Sequence, residues 1–239
     1  MKLAVWSGPR NISTAMMYAF GNRADFAAVD EPFYAAYLAL TGLRHPMRDE
    51  ILAAQSQDVA EVIAELTGPV PGAKMHVYHK HMAQHMLPEV PRDWFTGMRH
   101  VFLIRHPARV LPSFAAKYDQ TTLADIGIVQ QGELYDQLVS EGHTPVVVDS
   151  VDIRADPEGM LRALCEEVGL EWDPAMLTWP AGAKPFDGVW ADVWYGAVHR
   201  STGFAGPEGP VPLLEGALAE MAEAALPTYE KLAGRRLKA

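Results

Sequence analysis

The stretch that decides the fold reads LAVWSGPRNIST, from Leu3 to Thr14. Its apolar beginning predicts a strand, the Gly-Pro-Arg segment predicts a loop, and Ser13 is expected to begin a helix. A helix start directs unpaired backbone N–H groups and the positive end of the helix dipole toward one spot. The stretch therefore predicts an anion-binding loop. Its residues are Gly8, Pro9, Arg10, Asn11, Ile12, Ser13 and Thr14.

A second stretch, in the middle of the chain, complements the first. The apolar run Val101 to Ile104 ends at Arg105, and a helix is expected to begin near Pro107. Such a helix brings Ser113 to within two turns of Arg105. A guanidinium fork and a hydroxyl together suit a second phosphate group.

Together the two stretches resemble motifs of the sulfotransferases that use 3′-phosphoadenosine 5′-phosphosulfate. The segment Pro9 to Thr14 is similar to that family's 5′-phosphosulfate loop, commonly Pro-(Lys/Arg)-Ser-Gly-(Ser/Thr)-Thr. Arg105 followed eight positions later by Ser113 resembles the family's 3′-phosphate strand and helix. The order of the motifs and their separation of about 90 residues also fit.

Asn11 and Ile12 depart from this loop pattern, and Ile12 stands where the family has a glycine. A β-branched residue disfavours a positive φ angle. Either this loop follows another backbone path, or the position has an ordinary backbone conformation here.

The resemblance implies a donor and a division of roles. The donor is 3′-phosphoadenosine 5′-phosphosulfate, which is released as adenosine 3′,5′-bisphosphate, and the chemistry requires no metal. Arg10 is expected to neutralise the bridging oxygen of the phosphosulfate, and Arg105 and Ser113 to hold the 3′-phosphate. The implied acceptor is a small molecule with a hydroxyl or an amine, whose identity the sequence does not indicate.

Composition limits the other classes of partner. The chain has 239 residues, 49% of them hydrophobic and 21% charged, which is ordinary for one globular domain, so we expect a single domain over 1–239. A net charge of −10 argues against a general nucleic-acid or anionic-membrane surface. Oligomeric state has no signal in the sequence.

Location is also an expectation from composition. Cys165 is the only cysteine, which excludes an intrachain disulfide and favours a reducing compartment with Cys165 as a core thiol. The run Leu3 to Trp6 is too short for a signal peptide, and no window approaches the roughly 20 apolar residues of a membrane span. We therefore expect a cytoplasmic protein.

Apolar runs and helical patterns alternate along the chain, which favours a parallel sheet covered on both faces. The expected class is α/β, with a three-layer α/β/α arrangement around a mainly parallel sheet, as in the P-loop-type fold of sulfotransferases. Strands are predicted at Leu3–Trp6, Phe26–Val29, Met75–Tyr78, Val101–Ile104 and Val146–Val148. Helices are predicted at Thr14–Arg23, Glu50–Thr67, Pro107–Lys117, Asp125–Glu141, Pro157–Val168 and Leu213–Leu232.

Glu31 follows the second predicted strand, where the ends of parallel strands line a ligand crevice. A carboxylate there can take the proton of an acceptor hydroxyl, and several bacterial sulfotransferases are thought to place a Glu in this position. Glu31 can equally cap a helix that begins at Pro32. Both interpretations stay open.

Four of the nine histidines fall between His76 and His85. Cytosolic sulfotransferases carry Lys-Thr-His-Leu-Pro here, so the resemblance gives Lys80 the role of assisting the leaving phosphate. Met82 stands where that motif has its histidine, so His81, His85 and Glu31 are all candidate bases. His81 and His85 also have the spacing of two metal ligands, but the nearby Lys80 and the lack of a third ligand argue against a metal.

Val146 to Asp149 resembles the strand that holds Mg²⁺ in P-loop kinases. This motif is the main support for the alternative function, a small-molecule or nucleotide kinase that uses ATP and Mg²⁺. The first loop, however, lacks the lysine of Gly-x-x-x-x-Gly-Lys-(Ser/Thr), which favours the sulfotransferase. Asp149 can also cap the turn that follows. A nucleotide-binding protein without a working base and an interaction module remain further alternatives.

Residues 177–212 are rich in Gly, Pro and Trp and have little periodicity, which is typical of a long functional loop or lid. Trp190, Trp194 and Tyr195 offer rings for stacking on adenine or for packing against the sheet. Arg200, Ser201 and Gly203 loosely resemble the family's C-terminal Arg-Lys-Gly loop on the 3′-phosphate.

Overall fold

A computed structural model of the chain describes residues 1–118 and 121–239. Its centre is a parallel sheet of five strands in the order β2-β3-β1-β4-β5. The strands are β1 (Lys2–Ser7), β2 (Phe26–Asp30), β3 (His76–Met82), β4 (Arg99–Ile104) and β5 (Val146–Asp149). All five predicted strands are present, and the expected α/β class with its central parallel sheet is confirmed.

Side chains alternate between the two faces of each strand, and both faces are buried. In β1, Leu3 and Val5 belong to one hydrophobic cluster, while Ala4 and Trp6 belong to the other. Two apolar faces explain why the strands read as continuous rather than alternating apolar runs. Helices therefore cover the sheet on both sides.

Helices connect and flank the parallel strands. The first eight are α1 (Ser13–Gly21), α2 (Tyr34–Thr41), α3 (Arg48–Ala54), α4 (Val59–Thr67), α5 (Pro107–Ala115), α6 (Ile128–Ser140), α7 (Ser150–Ala155) and α8 (Pro157–Val168). Two single turns, α9 (Ala191–Trp194) and α10 (Gly196–His199), precede the last helix, α11 (Gly216–Ala233).

The helix predicted over Glu50–Thr67 is two helices, and the prediction of one continuous helix is wrong. The Asp58 carboxylate accepts hydrogen bonds from the backbone N–H groups of Ala60 and Glu61, so it caps a new helix start. Gln55, in the break, donates to the carbonyl oxygen of Glu31 at 3.2 Å. The interruption therefore ties this region to the end of β2. Helix α2 begins at Tyr34, close to the start at Pro32 that one interpretation of Glu31 assumed, whereas α7 was not predicted.

The predicted long loop at 177–212 lies against the rest of the domain. It contains α9, α10 and an isolated antiparallel bridge between Thr178 and Gly203. Trp190 and Tyr195 are buried within the hydrophobic cluster that contains Leu3 and Val5. Packing against the sheet thus accounts for Trp190. A lid movement of this segment stays a prediction.

Candidate active site

One cavity of about 290 Å³ opens at the carboxyl ends of the central strands. Cationic groups, a strand-end carboxylate and a wall of aromatic rings all face it. Among the predicted site residues, those that line it are Pro9, Arg10, Ile12, Ser13, Thr14, Glu31, Lys80, His85, Arg105, Ser201 and Gly203. The first motif and Arg105 of the second therefore meet at one pocket, whereas Ser113 does not line it and accepts a hydrogen bond from Arg10 instead.

Three residues on this pocket have a left-handed backbone. Arg10 has φ 63°, Ile12 has φ 57° and Glu31 has φ 40°. For a β-branched side chain this conformation is strained, and strain of this kind is concentrated at functional sites. Of the two alternatives for Ile12, the ordinary backbone conformation is excluded: the position has a glycine-like angle although it carries isoleucine.

The start of α1 presents free donors to the pocket. In the described part of the chain, the backbone N–H groups of Ser13, Thr14 and Ala15 donate to no protein acceptor, and the first helical bond runs from Met16 to the carbonyl oxygen of Ile12. All three residues line the cavity. This arrangement provides N–H donors and a positive dipole end for an anion.

The two predicted phosphate-binding motifs are bonded to each other. Arg10 Nε donates to Ser113 Oγ at 2.7 Å, and Arg105 Nη1 donates to the carbonyl oxygen of Arg10 at 2.7 Å. Burial, and then the neighbouring charge of Arg105, lower the pKa of Arg10. The pair concentrates positive charge on one side of the cavity.

Lys80 is the centre of a buried charged cluster. Its Nζ donates to Asp30 Oδ1 at 2.9 Å, to Glu31 Oε1 at 2.6 Å and to Tyr195 Oη at 2.5 Å. Asp30 lies directly beside Lys80 in the register of β2 and β3, which places both side chains on the same face. Because an ammonium group has three N–H bonds, Lys80 has no donor left for a leaving phosphate in this arrangement.

The same cluster sets the protonation of its members. Burial raises the pKa of Glu31, against the attraction of Lys80 and with a smaller contribution from Asp30. For Lys80, burial disfavours the charged form, but Asp30 and Glu31 outweigh it and raise the pKa. Lys80 is therefore a cation at neutral pH, and Glu31 is a carboxyl group whose pKa is moved toward the range of a general base.

The structure places His81 outside the pocket, so a role as base does not fit it. Strand alternation directs Lys80 and His81 to opposite faces of the sheet. The His81 ring stacks on Trp6 with centroids 4.4 Å apart, and burial holds its pKa well below its usual value. Because Lys80 and His81 point to opposite faces of the sheet, they do not serve the same site.

His85 does line the cavity, within its aromatic wall. Its ring stacks on Tyr37 with centroids 4.6 Å apart and on Tyr34 at 4.8 Å. Burial, and then the charges of His45 and Lys80, hold the pKa of His85 well below its usual value. His85 is thus a neutral ring in a region that suits a flat or hydrogen-bonding ligand.

Gly8 and Asn11 support the loop from beneath rather than facing the cavity. A Cβ on Gly8 would lie 2.0 Å from the carbonyl oxygen of Ile126, so only glycine allows this close approach. Asn11 is buried and donates to the carbonyl oxygen of Leu103 at 3.1 Å. The expectation that both contact the donor directly does not match this placement.

In the loop at 177–212 only part of the expected set reaches the cavity. Ser201 and Gly203 line it, whereas Arg200 is exposed and lies outside it. Arg200 follows α10 at its solvent side, so its expected role on the 3′-phosphate does not match its position. Trp194 lines the cavity and stacks on Phe114, with centroids 5.9 Å apart and an interplanar angle of 8°.

Asp149, the support for the kinase alternative, is used elsewhere. Its Oδ1 accepts a hydrogen bond from the backbone N–H of Val151, and its Oδ2 accepts one from Tyr229 Oη at 2.7 Å. It is buried and does not line the cavity. Asp149 is the N-cap of α7, the structural role that the sequence also allowed.

Sequence reasoning missed Arg154 and Asp30, and it missed the hydrogen bonds of Tyr195. Arg154 lines the cavity from α7, directly after β5, and its place behind a strand end was a usable signal. Asp30 is the last residue of β2, so its place at a strand end was the same usable signal. Tyr195 Oη donates to Asp30 Oδ2 at 2.7 Å across 165 positions of sequence, and no local pattern indicates such a contact.

Over residues 1–118 and 121–239, no group of three or more His, Cys, Asp and Glu side chains is arranged to hold a metal ion. In the same ranges, no helix combines the length and the apolar character needed to cross a bilayer.

The parallel sheet, the free N–H donors at the start of α1 and the strand-end carboxylate place this chain in the α/β class, with one cavity at the strand ends. The family model described as "Sulfotransferase domain" matches residues 1–236, and the chain belongs to that family. The family resemblance found in the two motifs is confirmed.

The curated relatives carry other names. The chain is similar to "Branched-chain-amino-acid aminotransferase-like protein 2" of Arabidopsis thaliana, with 36% identity over 203 residues, which are 85% of this chain and 36% of that protein. It is 36% identical over 227 residues to "Branched-chain-amino-acid aminotransferase-like protein 1" of the same plant, covering 95% of this chain and 40% of the relative. The chain thus spans less than half the length of these relatives.

Two solved structures share the fold. The sulfotransferase domain of the Synechococcus PCC 7002 olefin synthase superposes with a TM-score of 0.54 at 16% identity, covering 96% of this chain and 94% of that domain. The sulfotransferase domain of the curacin biosynthetic pathway gives a TM-score of 0.55 at 12% identity, covering 95% and 96%.

Proposed function

We propose that this domain transfers a sulfuryl group from 3′-phosphoadenosine 5′-phosphosulfate to a hydroxyl or amine of a small-molecule acceptor. The observation that carries the proposal is the meeting of the α1 start, Arg10 and Arg105 on the same cavity as the Glu31 carboxylate. Membership of the sulfotransferase family supports the reaction class. The donor, the acceptor and the residue roles below are part of the proposal.

The cationic side of the cavity suits the donor. The N–H groups of Ser13, Thr14 and Ala15, together with Arg10, are placed to stabilise negative charge on the 5′-phosphate as it leaves. Arg105 and Ser113 are assigned to the 3′-phosphate, which fixes the donor's position. Preorganised donors of this kind often make the largest single contribution to catalysis.

Glu31 is the proposed base. In the transfer, the acceptor oxygen forms a bond to sulfur while the bond from sulfur to the bridging oxygen breaks. The electron pair of that bond stays on the phosphate of adenosine 3′,5′-bisphosphate, and the acceptor proton goes to the Glu31 carboxylate. Glu31 is preferred to His85 because burial raises the pKa of the carboxyl group but lowers that of the imidazole, which weakens His85 as a base.

Lys80 takes a positioning role in this proposal, in place of the direct contact with the leaving phosphate that the resemblance implied. All three of its N–H bonds are directed to Asp30, Glu31 and Tyr195. It fixes Glu31 Oε1 and keeps the carboxylate charged. The aromatic side, with Tyr34, Tyr37 and His85, is assigned to the acceptor.

Arg105→Ala is expected to abolish stabilisation by adenosine 3′,5′-bisphosphate. At about 100 times Kd a ligand stabilises the native state by about 2.7 kcal/mol, which moves the thermal midpoint of a chain of this size by several degrees. The measurement is thermal unfolding with and without the bisphosphate, in the absence of metal, and each variant is compared with its own ligand-free midpoint.

Arg162→Ala is the matched control, since Arg162 lies exposed on α8 and pairs only with Glu158 in the described ion pairs. It should keep the full shift. ATP with Mg²⁺ is the competing ligand. If only ATP with Mg²⁺ stabilises the protein, the assignment of Arg105 and Ser113 is wrong and the kinase alternative replaces it.

A further inference from the structure

Three arginine side chains converge on the carboxylate of Glu208. Arg105 Nη2 donates to Glu208 Oε1 at 2.6 Å, and Arg154 Nη1 donates to the same oxygen at 2.8 Å. Arg109 Nε lies 2.8 Å from Glu208 Oε2. The Glu208 side chain is only 1% exposed. A carboxylate from a distant part of the chain is thus enclosed in a cationic cluster.

The segment that carries Glu208 runs along the surface. It reads Gly206-Pro207-Glu208-Gly209-Pro210, it belongs to no helix or strand, and its other four residues are exposed. The same arginines also hold its backbone: Arg154 Nε donates to the carbonyl oxygen of Gly206 at 2.9 Å, and Arg109 donates to that of Gly209. Only the Glu208 side chain turns inward.

The carboxylate matches the arginine cluster poorly. Three guanidinium charges face one negative charge, which leaves an excess of two positive charges. Glu208 Oε2 has no aligned hydrogen-bond donor in the described residues, and Arg105 Nε is buried there without an acceptor. A phosphate monoester brings up to two negative charges and three terminal oxygens, so it can satisfy more of these donors than a planar carboxylate.

The cluster also borders the proposed donor site. Arg105 and Arg154 line the cavity, together with Ala205 from the same loop, and Arg105 is bonded to the backbone of Arg10. The two arginines therefore have the cavity on one side and the Glu208 carboxylate on the other. An anion entering the cavity meets cations that are already paired with a protein carboxylate.

We propose that Arg105, Arg109 and Arg154 form a binding site for a phosphate monoester, and that the Glu208 carboxylate competes with this phosphate for the arginines. That the phosphate is the 3′-phosphate of the donor rests on the proposed function; the site and the competition do not. Phosphate binding replaces the carboxylate and releases the Gly206–Gly209 segment from the cluster.

Glu208 either competes with the phosphate or holds the arginines in place for it, and these two roles have opposite effects on phosphate affinity. If Glu208 competes, the apparent Kd is the intrinsic Kd divided by the fraction of molecules whose carboxylate is displaced. A displaced fraction of about one tenth makes binding about tenfold weaker than the arginines alone allow. If Glu208 instead holds the arginines in place for the ligand, removal of its charge weakens binding.

The test is calorimetric titration of the wild-type chain and of Glu208→Gln with adenosine 3′,5′-bisphosphate, adenosine 5′-phosphate and inorganic phosphate. We expect Glu208→Gln to bind the bisphosphate and inorganic phosphate about tenfold more tightly. Adenosine 5′-phosphate should change little, because the proposed function assigns its one phosphate to the start of α1. Glu215→Gln, an exposed residue just before α11, is the control and should bind like wild type. Equal or weaker bisphosphate binding by Glu208→Gln overturns the competition.

A second measurement needs no variant, in case Glu208→Gln folds poorly. Cleavage of the wild-type chain after Glu208 by a glutamyl endopeptidase should become faster when bisphosphate is added, because the buried Glu208 side chain is released; slower cleavage contradicts the proposal. If the wild-type chain binds no bisphosphate, the proposed function fails. The titration with inorganic phosphate then decides the arginine site by itself. A gain in phosphate affinity in Glu208→Gln supports the site, and no gain overturns it.

Discussion

Glu31→Gln should reduce the rate of sulfuryl transfer by about 10²–10⁴-fold while binding of adenosine 3′,5′-bisphosphate is unchanged. The amide keeps the size of the side chain and an oxygen for Lys80, but it cannot take a proton. The pH profile provides a second signature. Because burial raises the pKa of Glu31, the wild-type rate should fall as pH drops through that raised value, where the carboxyl group becomes protonated.

This acidic limb should be absent from the residual activity of Glu31→Gln. Glu50→Gln, an exposed residue on α3, is the control and should keep both the rate and the limb. Steady-state rates between about pH 4 and pH 8 measure both quantities, because this range begins near the unperturbed carboxyl pKa of roughly 4.3 and covers the raised one. If Glu31→Gln keeps the wild-type turnover, Glu31 is not the base, and the acceptor proton goes to His85 or to a group of the substrate itself.

Lys80→Met should lower the free energy of unfolding by about 3–5 kcal/mol. Methionine fills a similar volume, so the main loss is the cation that compensates the Asp30 and Glu31 carboxylates in a site where Lys80 is only 1% exposed. An uncompensated buried charge is far more costly than the absence of the whole pair. Denaturant unfolding at neutral pH measures the difference.

Two comparisons make this prediction specific. Lys117→Met changes an exposed lysine and should alter the unfolding free energy by no more than about 0.5 kcal/mol. The double variant Asp30→Asn with Lys80→Met removes one carboxylate together with the cation and should recover a large part of the loss. A Lys80→Met protein as stable as wild type would mean that water, rather than Lys80, compensates these carboxylates.

The strands of the fold could be predicted from the sequence because each is a short, continuous apolar run. All five fall where the pattern places them, and both motif loops follow strand ends as expected. The helix prediction failed at residues 55–58, where the Asp58 cap and the Gln55 bonds to the end of β2 interrupt an otherwise helical pattern. Tertiary contacts of one glutamine outweighed local propensity.

The candidate site could be predicted less completely, for two physical reasons. Strand alternation separates Lys80 from His81 by the thickness of the sheet, which a list of adjacent polar residues does not express. The second reason is that other contacts of the site join residues far apart in the sequence: Tyr195 bonds Asp30, and Glu208 pairs with three arginines. No spacing rule connects those positions, so only the fold brings them together.

The most direct measurement of the central claim is transfer of radiolabelled sulfur from 3′-phosphoadenosine 5′-phosphosulfate to a panel of small hydroxyl and amine acceptors. The label distinguishes sulfuryl transfer from phosphorylation. We expect labelled product with the wild-type domain in the absence of added metal, and a loss of about 10²–10⁴-fold with Glu31→Gln. Tight binding of the donor without transfer to any acceptor in the panel, or product formation only with ATP and Mg²⁺, would contradict the proposed function.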